Sequence, residues 1–383
     1  MTELNIYLDY NAAAPLRQVA YDKMTEILKN YAGNASSVHH TGRRLSAILE
    51  QSRHQIAQTL GTQASNVIFT STGSEANNYV VRGFKSLGYR ILVCATDHVS
   101  TLAASTQVEI IPVDHQGILN LDALDYLLQH NPEAQPTLVS VHLANNESGI
   151  IQPLEQIVQC VRRYGSKIHT DAIQAVGRYP VNFKNLGVDA MTVASGKIGG
   201  PFGAAALILA DKITLPSLIR GGGQEKGRRA GTHNVPAIAG FNVALQEACK
   251  EDWSSVQHLR DHFEQIIIQQ VFDVKIYGQH VPRLPNTSLI RMPGVSTEVQ
   301  LMSLDLAVLM NDQKINFAVS AGSACSSGKT IASTVLKAMG VSDRAARESL
   351  RISLCPTTTS QHMNLFTQRW LDIFHYHQQR KAA

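Results

Sequence analysis

Runs of lysine and arginine are missing from this sequence, and the formal net charge is only +4. That removes the usual footprint of a nucleic-acid-binding or membrane-surface protein. No apolar run is long enough to span a bilayer. The opening "MTELNIYLDY" reaches an acidic residue at once and offers no apolar core of a secretory signal, so a cytoplasmic protein is expected. Cysteines are few and unpaired in pattern: Cys94, Cys160, Cys249, Cys325 and Cys355, with no C-x-x-C. An odd, scattered set argues against a disulfide framework and against a zinc site, so no metal is expected. Low-complexity stretches and internal repeats are absent as well. What remains is ordinary for a globular protein: 383 residues, 44% apolar and 17% charged, enough for a large domain and a smaller one.

From about residue 67 the chain alternates between short apolar runs and helical spacing. Val67–Thr70, "RILVCA", "VEIIPV", "TLVSVHLA", "KIHT", "AMTVAS" and "AAALILA" read as strands. Helical patterns precede them at 16–31 and 44–60 and separate several of them. This alternation predicts an α/β fold with a mainly parallel sheet covered by helices on both faces. Ligands on such sheets sit outside the carboxyl ends of the strands. Beyond Pro236 the pattern changes to long helical stretches, roughly 236–272, with sparse strands in "FDVKIYG", "NTSLIRM", "INFAVS" and "LRISL". The expected division is a large unit over 16–250 and a smaller α+β unit made of 1–15 and 251–383.

Polar residues at the strand ends carry the chemistry. In "FTSTGSEANN", Gly73 and Ser74 lie between a strand and a helix, a place where free N–H groups bind anions; the plain reading is an ordinary helix cap at Ser74. His98 follows one strand, and Asn145 and Asn146 follow another. Asp171 ends the apolar run of "KIHTD", where an unpartnered acid is costly, and Gln174 lies three residues on. Lys197 sits in a turn of Ser195, Gly196, Ile198, Gly199, Gly200 and Pro201. Pyridoxal phosphate requires a lysine, a carboxylate for its ring nitrogen and a phosphate cradle, and this set matches that need. One cysteine stands apart. Cys94, Cys160 and Cys249 read as small buried hydrophobes, but Cys325 lies in "VSAGSACSSGK", whose small residues offer no apolar burial.

These segments resemble the cysteine desulfurases of the NifS/IscS type, within the class V aminotransferase superfamily of fold-type I pyridoxal-phosphate enzymes. The resemblance runs along nearly the whole chain, through "YLDYNAAAP", "GNASSVHHTGR", "FTSTGSEANN", "DHVS", "ANNESGIIQPL", "HTDAIQAVGR", "GKIGGPFG", "RGGGQEKGRRAGTHN", "SAGSACSSGK" and "ESLRISL". It implies a seven-stranded-type sheet in the large domain. It matches Lys197 to the Schiff-base lysine, Asp171 to the partner of the ring nitrogen, Gln174 to a donor to the ring hydroxyl, and His98 to the residue that stacks on the ring and moves protons. Gly73, Ser74 and Ser195 fall in the phosphate cradle. Thr232 matches a residue that reaches the phosphate of the other subunit, which implies a homodimer. Arg351, Asn145 and Asn34 match groups around the substrate. Cys325 matches the catalytic cysteine that takes sulfur from L-cysteine, releases alanine and hands a persulfide to an acceptor such as an iron–sulfur scaffold or a thiolation carrier.

The match has gaps. The family usually carries a serine three residues before the lysine and a histidine immediately before it; here those places hold Ala194 and Gly196. Phe202 stands where a lysine is usual. A partly cofactor-free protein is therefore expected, with tighter binding in Gly196→His. Two other readings stay open from sequence: a selenocysteine lyase or other class V enzyme, and a catalytically weak homologue that serves as a binding subunit for a sulfur carrier.

Overall fold

The computed structural model describes residues 3–310, 313–322 and 332–382. Thirteen strands occur among them. The first, β1 (Glu3–Tyr7), precedes two helices, Gln18–Asn30 and His40–Thr59. Then come β2 (Val67–Thr70), β3 (Arg90–Cys94), β4 (Val108–Ile111), β5 (Thr137–His142), β6 (Lys167–Asp171), β7 (Ala190–Ala194) and β8 (Ala205–Leu209). These seven make one sheet in the order β2-β8-β7-β6-β5-β3-β4. Pairing is parallel from β7 through β6, β5 and β3 to β4, and β8 alone runs against its neighbours. Every residue of β2, β5 and β8 is buried, which explains why they read as continuous rather than alternating apolar runs. Two apolar layers flank the sheet, one including Leu45, Leu49, Ile56 and Phe241, the other including Tyr79, Val80 and Phe84. The mainly parallel, helix-covered sheet expected from the sequence is therefore present.

The remaining strands are β9 (Lys275–Ile276), β10 (Thr287–Arg291), β11 (Val308–Met310), β12 (Gln313–Ala318) and β13 (Ser349–Ser353). They form two three-stranded sheets, β1-β12-β11 and β13-β10-β9. A second core joins them: Ile6 and Leu8 from the start of the chain pack with Phe263, Phe317, Phe366 and Trp370. Phe366 stacks tilted on Phe263 at 5.4 Å and edge-on to Phe317 at 5.5 Å. Each such ring, fully buried, contributes about 1.5–3 kcal/mol. The long helical stretches expected over 236–272 are two helices, Val235–Ala248 and Ser254–Gln270. Two expectations need correction here. "FDVKIYG" yields only the two residues of β9. Cys249, expected to be buried, is exposed, because it caps the end of the first of those helices instead of lying on its packed face.

Candidate active site

Five strand ends open toward the same edge of the large sheet. β6 ends in Asp171, whose two carboxylate oxygens are both engaged. Oδ1 accepts from the Ile173 backbone N–H at 2.9 Å, and Oδ2 accepts from Asn77 Nδ2 at 2.8 Å. Next to it, β7 ends in Ala194 and passes into a short 3-10 turn, Ser195–Lys197. Lys197 Nζ donates to the carbonyl of Ala12 at 2.5 Å. Burial, aided by the cations of Arg351 and Arg178, lowers its pKa to about 8. Arg178 is buried, donates to the Lys197 carbonyl at 2.7 Å and to Gln174, and lies over the Tyr10 ring. Its own pKa falls to about 10 by burial.

The segment Asp9–Ala13 threads this site, a role the sequence motifs alone do not reveal. Asp9 Oδ1 accepts from Arg351 Nη2 at 2.6 Å; Asn11 O accepts from Gln174 Nε2 at 3.0 Å; Ala12 O holds the lysine. Arg351, on β13, also donates from Nη1 to the Asn146 carbonyl, and its Nε has no partner among the described residues. Glu147 is buried beside it, accepts from Ser333 Oγ, and is held above the ordinary carboxyl range by burial, against the pull of Ser333 and Arg351. Lys197, Asp171, Gln174 and Arg351 are thus brought together.

Other expected residues take different places. The helix at 73 is capped by Thr72, whose Oγ1 accepts from Glu75 N–H; Ser74 lies exposed in its first turn instead of at the cap. A Cβ at Gly73 would stand 2.2 Å from Ile173 Cδ1, so a larger residue there would displace the end of that side chain. His98 is exposed and its Nδ1 faces Ser100. Asn145 spends Oδ1 on the N–H groups of Glu147 and Ser148 and Nδ2 on Thr96 O, so it shapes its own turn. Ser195 Oγ is buried against Gly200 and has no partner among the described residues. Asn34 is partly buried and caps its own loop through Ser36 N–H. Thr232 is exposed. Cys325 lies outside the described residues. Among the described residues Cys94, Asp97 and His142 bring donor atoms within 4.8 Å of one another, but Asp97 Oδ1 already accepts from His142 Nδ1 at 2.6 Å.

The Aminotransferase class-V family model matches residues 6–366. The chain belongs to the class-V aminotransferase family. Among curated relatives of this family member, "Cysteine desulfurase IscS" of Dictyoglomus turgidum is 35% identical over 373 residues, covering 94% of this chain and 92% of that one. A cysteine desulfurase of Sinorhizobium fredii is 35% identical over 364 residues, 91% of each chain. A solved NifS-like protein from Rickettsia africae superposes with a TM-score of 0.87 at 34% identity, covering 97% of this chain and 99% of that one. Asn77, Asp9 and Arg178 are the site residues of this class-V protein that sequence reasoning missed. Their one signal was that each falls inside a segment that carries the family likeness.

Proposed function

We propose that the protein is a cysteine desulfurase that uses pyridoxal phosphate, converts L-cysteine to L-alanine, and leaves a persulfide on Cys325 for an acceptor protein. The observation that carries the reading is the meeting of a pKa-lowered Lys197, a doubly held Asp171 and Arg351 around the Asp9–Ala13 segment. The donor set fits the cofactor. Lys197 supplies an amine that is substantially neutral near pH 8. Asp171 supplies a carboxylate whose orientation is fixed from two sides. The helix Gly73–Ser86 supplies free N–H groups at its start for a phosphate, with Ser74 exposed beside them. Pyridoxal phosphate, when bound, supplies a ring that takes up the electron pair of a broken bond at the substrate Cα.

The residues then divide the work. Lys197 Nζ holds and moves the Cα proton. Arg351 binds the substrate carboxylate, exchanging its Asp9 partner for it. The Cys325 thiolate attacks the substrate sulfur: an S–S bond forms, the substrate Cβ–S bond breaks, and its electron pair stays with the carbon that becomes the alanine methyl group. No outside oxidant is needed. A homodimer in which Thr232 reaches the neighbouring phosphate, and a division into units 16–250 and 1–15 with 251–383, complete the reading. The second core, which unites Ile6–Ala14 with residues beyond Trp253, supports that division. L-Cysteine given to the protein with added cofactor and a thiol reductant, which releases the persulfide sulfur, should yield alanine and sulfide. Cys325→Ala should bind cofactor and release no alanine; undiminished alanine from that variant would refute the persulfide step.

A further inference from the structure

One side chain links two groups that the proposed activity uses separately. Asn77, on the second turn of the helix Gly73–Ser86, is buried, and its Nδ2 donates both its hydrogens. One goes to Asp171 Oδ2 at 2.8 Å, the other to Ser100 Oγ at 3.0 Å. The amide can point only this way, because turning it over would set Oδ1 against a carboxylate oxygen. Ser100 Oγ, accepting from Asn77, keeps its own proton for His98 Nδ1 at 2.7 Å. The Ser100 backbone N–H donates to the same nitrogen at 3.1 Å. Two donors on Nδ1 place the proton of the neutral imidazole on Nε2. Neither Asn77 nor Ser100 is one of the residues the chemistry above employs.

We infer that Asn77 is a positioning residue for the reaction, orienting the Asp171 carboxylate directly and, through Ser100, fixing the rotamer and tautomer of His98. The inference rests on the cofactor reading given above. One amide sets the carboxylate at the ring nitrogen and the imidazole at the ring face in register with each other. A helix residue does this because Asn77 meets Asp171 at the end of β6 while the same helix packs against the short helix Val99–Leu102 that His98 caps. The Asn77 Oδ1 atom has no partner among the described residues, so the position is used for its donors alone.

Two variants separate the arms. Asn77→Ala removes both of its bonds, and Ser100→Ala removes only the hydroxyl link to His98, leaving the backbone N–H of residue 100 on Nδ1. With resolved apoenzyme and pyridoxal phosphate as the probe, Asn77→Ala is expected to bind cofactor about tenfold more weakly, and its visible absorbance band is expected to move. Ser100→Ala is expected to keep wild-type affinity and band position but to lose several-fold in kcat at unchanged KM. Unchanged affinity and spectrum in a folded Asn77→Ala would overturn the inference. If Asn77→Ala does not fold, an unchanged kcat in Ser100→Ala overturns it. Wild-type protein that binds no cofactor or makes no alanine would instead sink the functional reading.

Discussion

Near pH 8 Lys197 is about half neutral, where an ordinary lysine is still charged. The cause is first the burial itself, then the like charges of Arg351 and Arg178, while Asp9 and Asp171 pull the other way. The consequence for stability has a definite sign. The folded pKa, about 8, lies below the unfolded value of 10.5, so the unfolded chain binds more protons between the two. Lys197 therefore destabilises the cofactor-free fold fully below pH 8, and the burden lifts as pH rises toward 10.5. Lys197→Met removes the group at similar volume. The melting temperature of apo Lys197→Met should exceed that of wild type at neutral pH, and the gap should close as the pH is raised through this window. A gap that stays constant with pH would show that the amine is not destabilised. The same shift suits the proposed role of Lys197, since a neutral amine is the form that attacks a carbonyl.

The turn after β7 shows how an element rewrites the expectation for one of its residues. Gly196 has no positive φ, so its backbone tolerates a side chain. Yet a Cβ at 196 would stand 2.8 Å from Phe202 Cε1 and 2.9 Å from Cδ1. Phe202 therefore fills the space a side chain at 196 would take, and the two departures from the family pattern are one packing unit. Gly196→His alone is expected to bind cofactor no tighter than wild type. Gly196→His with Phe202→Ala should bind it about tenfold to a hundredfold tighter, the value of one hydrogen bond to a charged phosphate. Equal dissociation constants for the double variant and wild type, from titration of resolved protein, would refute this pairing. Legibility follows the same line between local and distant. The strands of the large sheet show in the sequence because burial on both faces makes them apolar runs, and Asp171 and Lys197 show because they interrupt such runs. The strands β9 and β11 are too short to carry a pattern, and no apolar period marked the helix Ser360–Ala382. Beyond their place in segments that carry the family likeness, Asn77 and Asp9 gave no signal of what they do, because that depends on partners 94 and 342 residues away. Thr72 took the cap expected of Ser74 because either hydroxyl can start a helix and only the backbone decides which one does.

At the scale of the whole molecule, the proposed homodimer bears on a few outward-facing residues. Ala14 N–H donates to Gly196 O and Arg17 N–H to Gly199 O, which sets the exposed Leu16 and the 75%-exposed Phe202 on adjoining segments beside the catalytic turn. Thr232 is exposed at the end of a loop that is rigidly anchored without any partner. Glu225 in that loop is buried; Arg53 grips its carboxylate with two nitrogens at 2.7 Å, His233 Nε2 contacts it at 2.6 Å, and the Phe69 N–H donates to it at 3.0 Å. These partners outweigh burial and hold its pKa down at about 2. Glu225 and Lys226 both take positive φ, a strain that such an anchor sustains. A preformed loop that offers Thr232 to solvent, next to an apolar rim, fits a two-fold pair in which each subunit completes the other's phosphate site. Subunit complementation tests this directly. Lys197→Ala homodimers should be inactive, and Thr232→Ala homodimers should bind cofactor weakly. In a mixed dimer one site carries both defects and the other carries neither. Random reassociation of equal amounts should therefore restore about a quarter of the wild-type sites. These would appear as tight cofactor binding and alanine production beyond the sum of the parents. Activity equal to that sum, in a mixture shown to exchange subunits, would mean that Thr232 serves its own subunit's site or none.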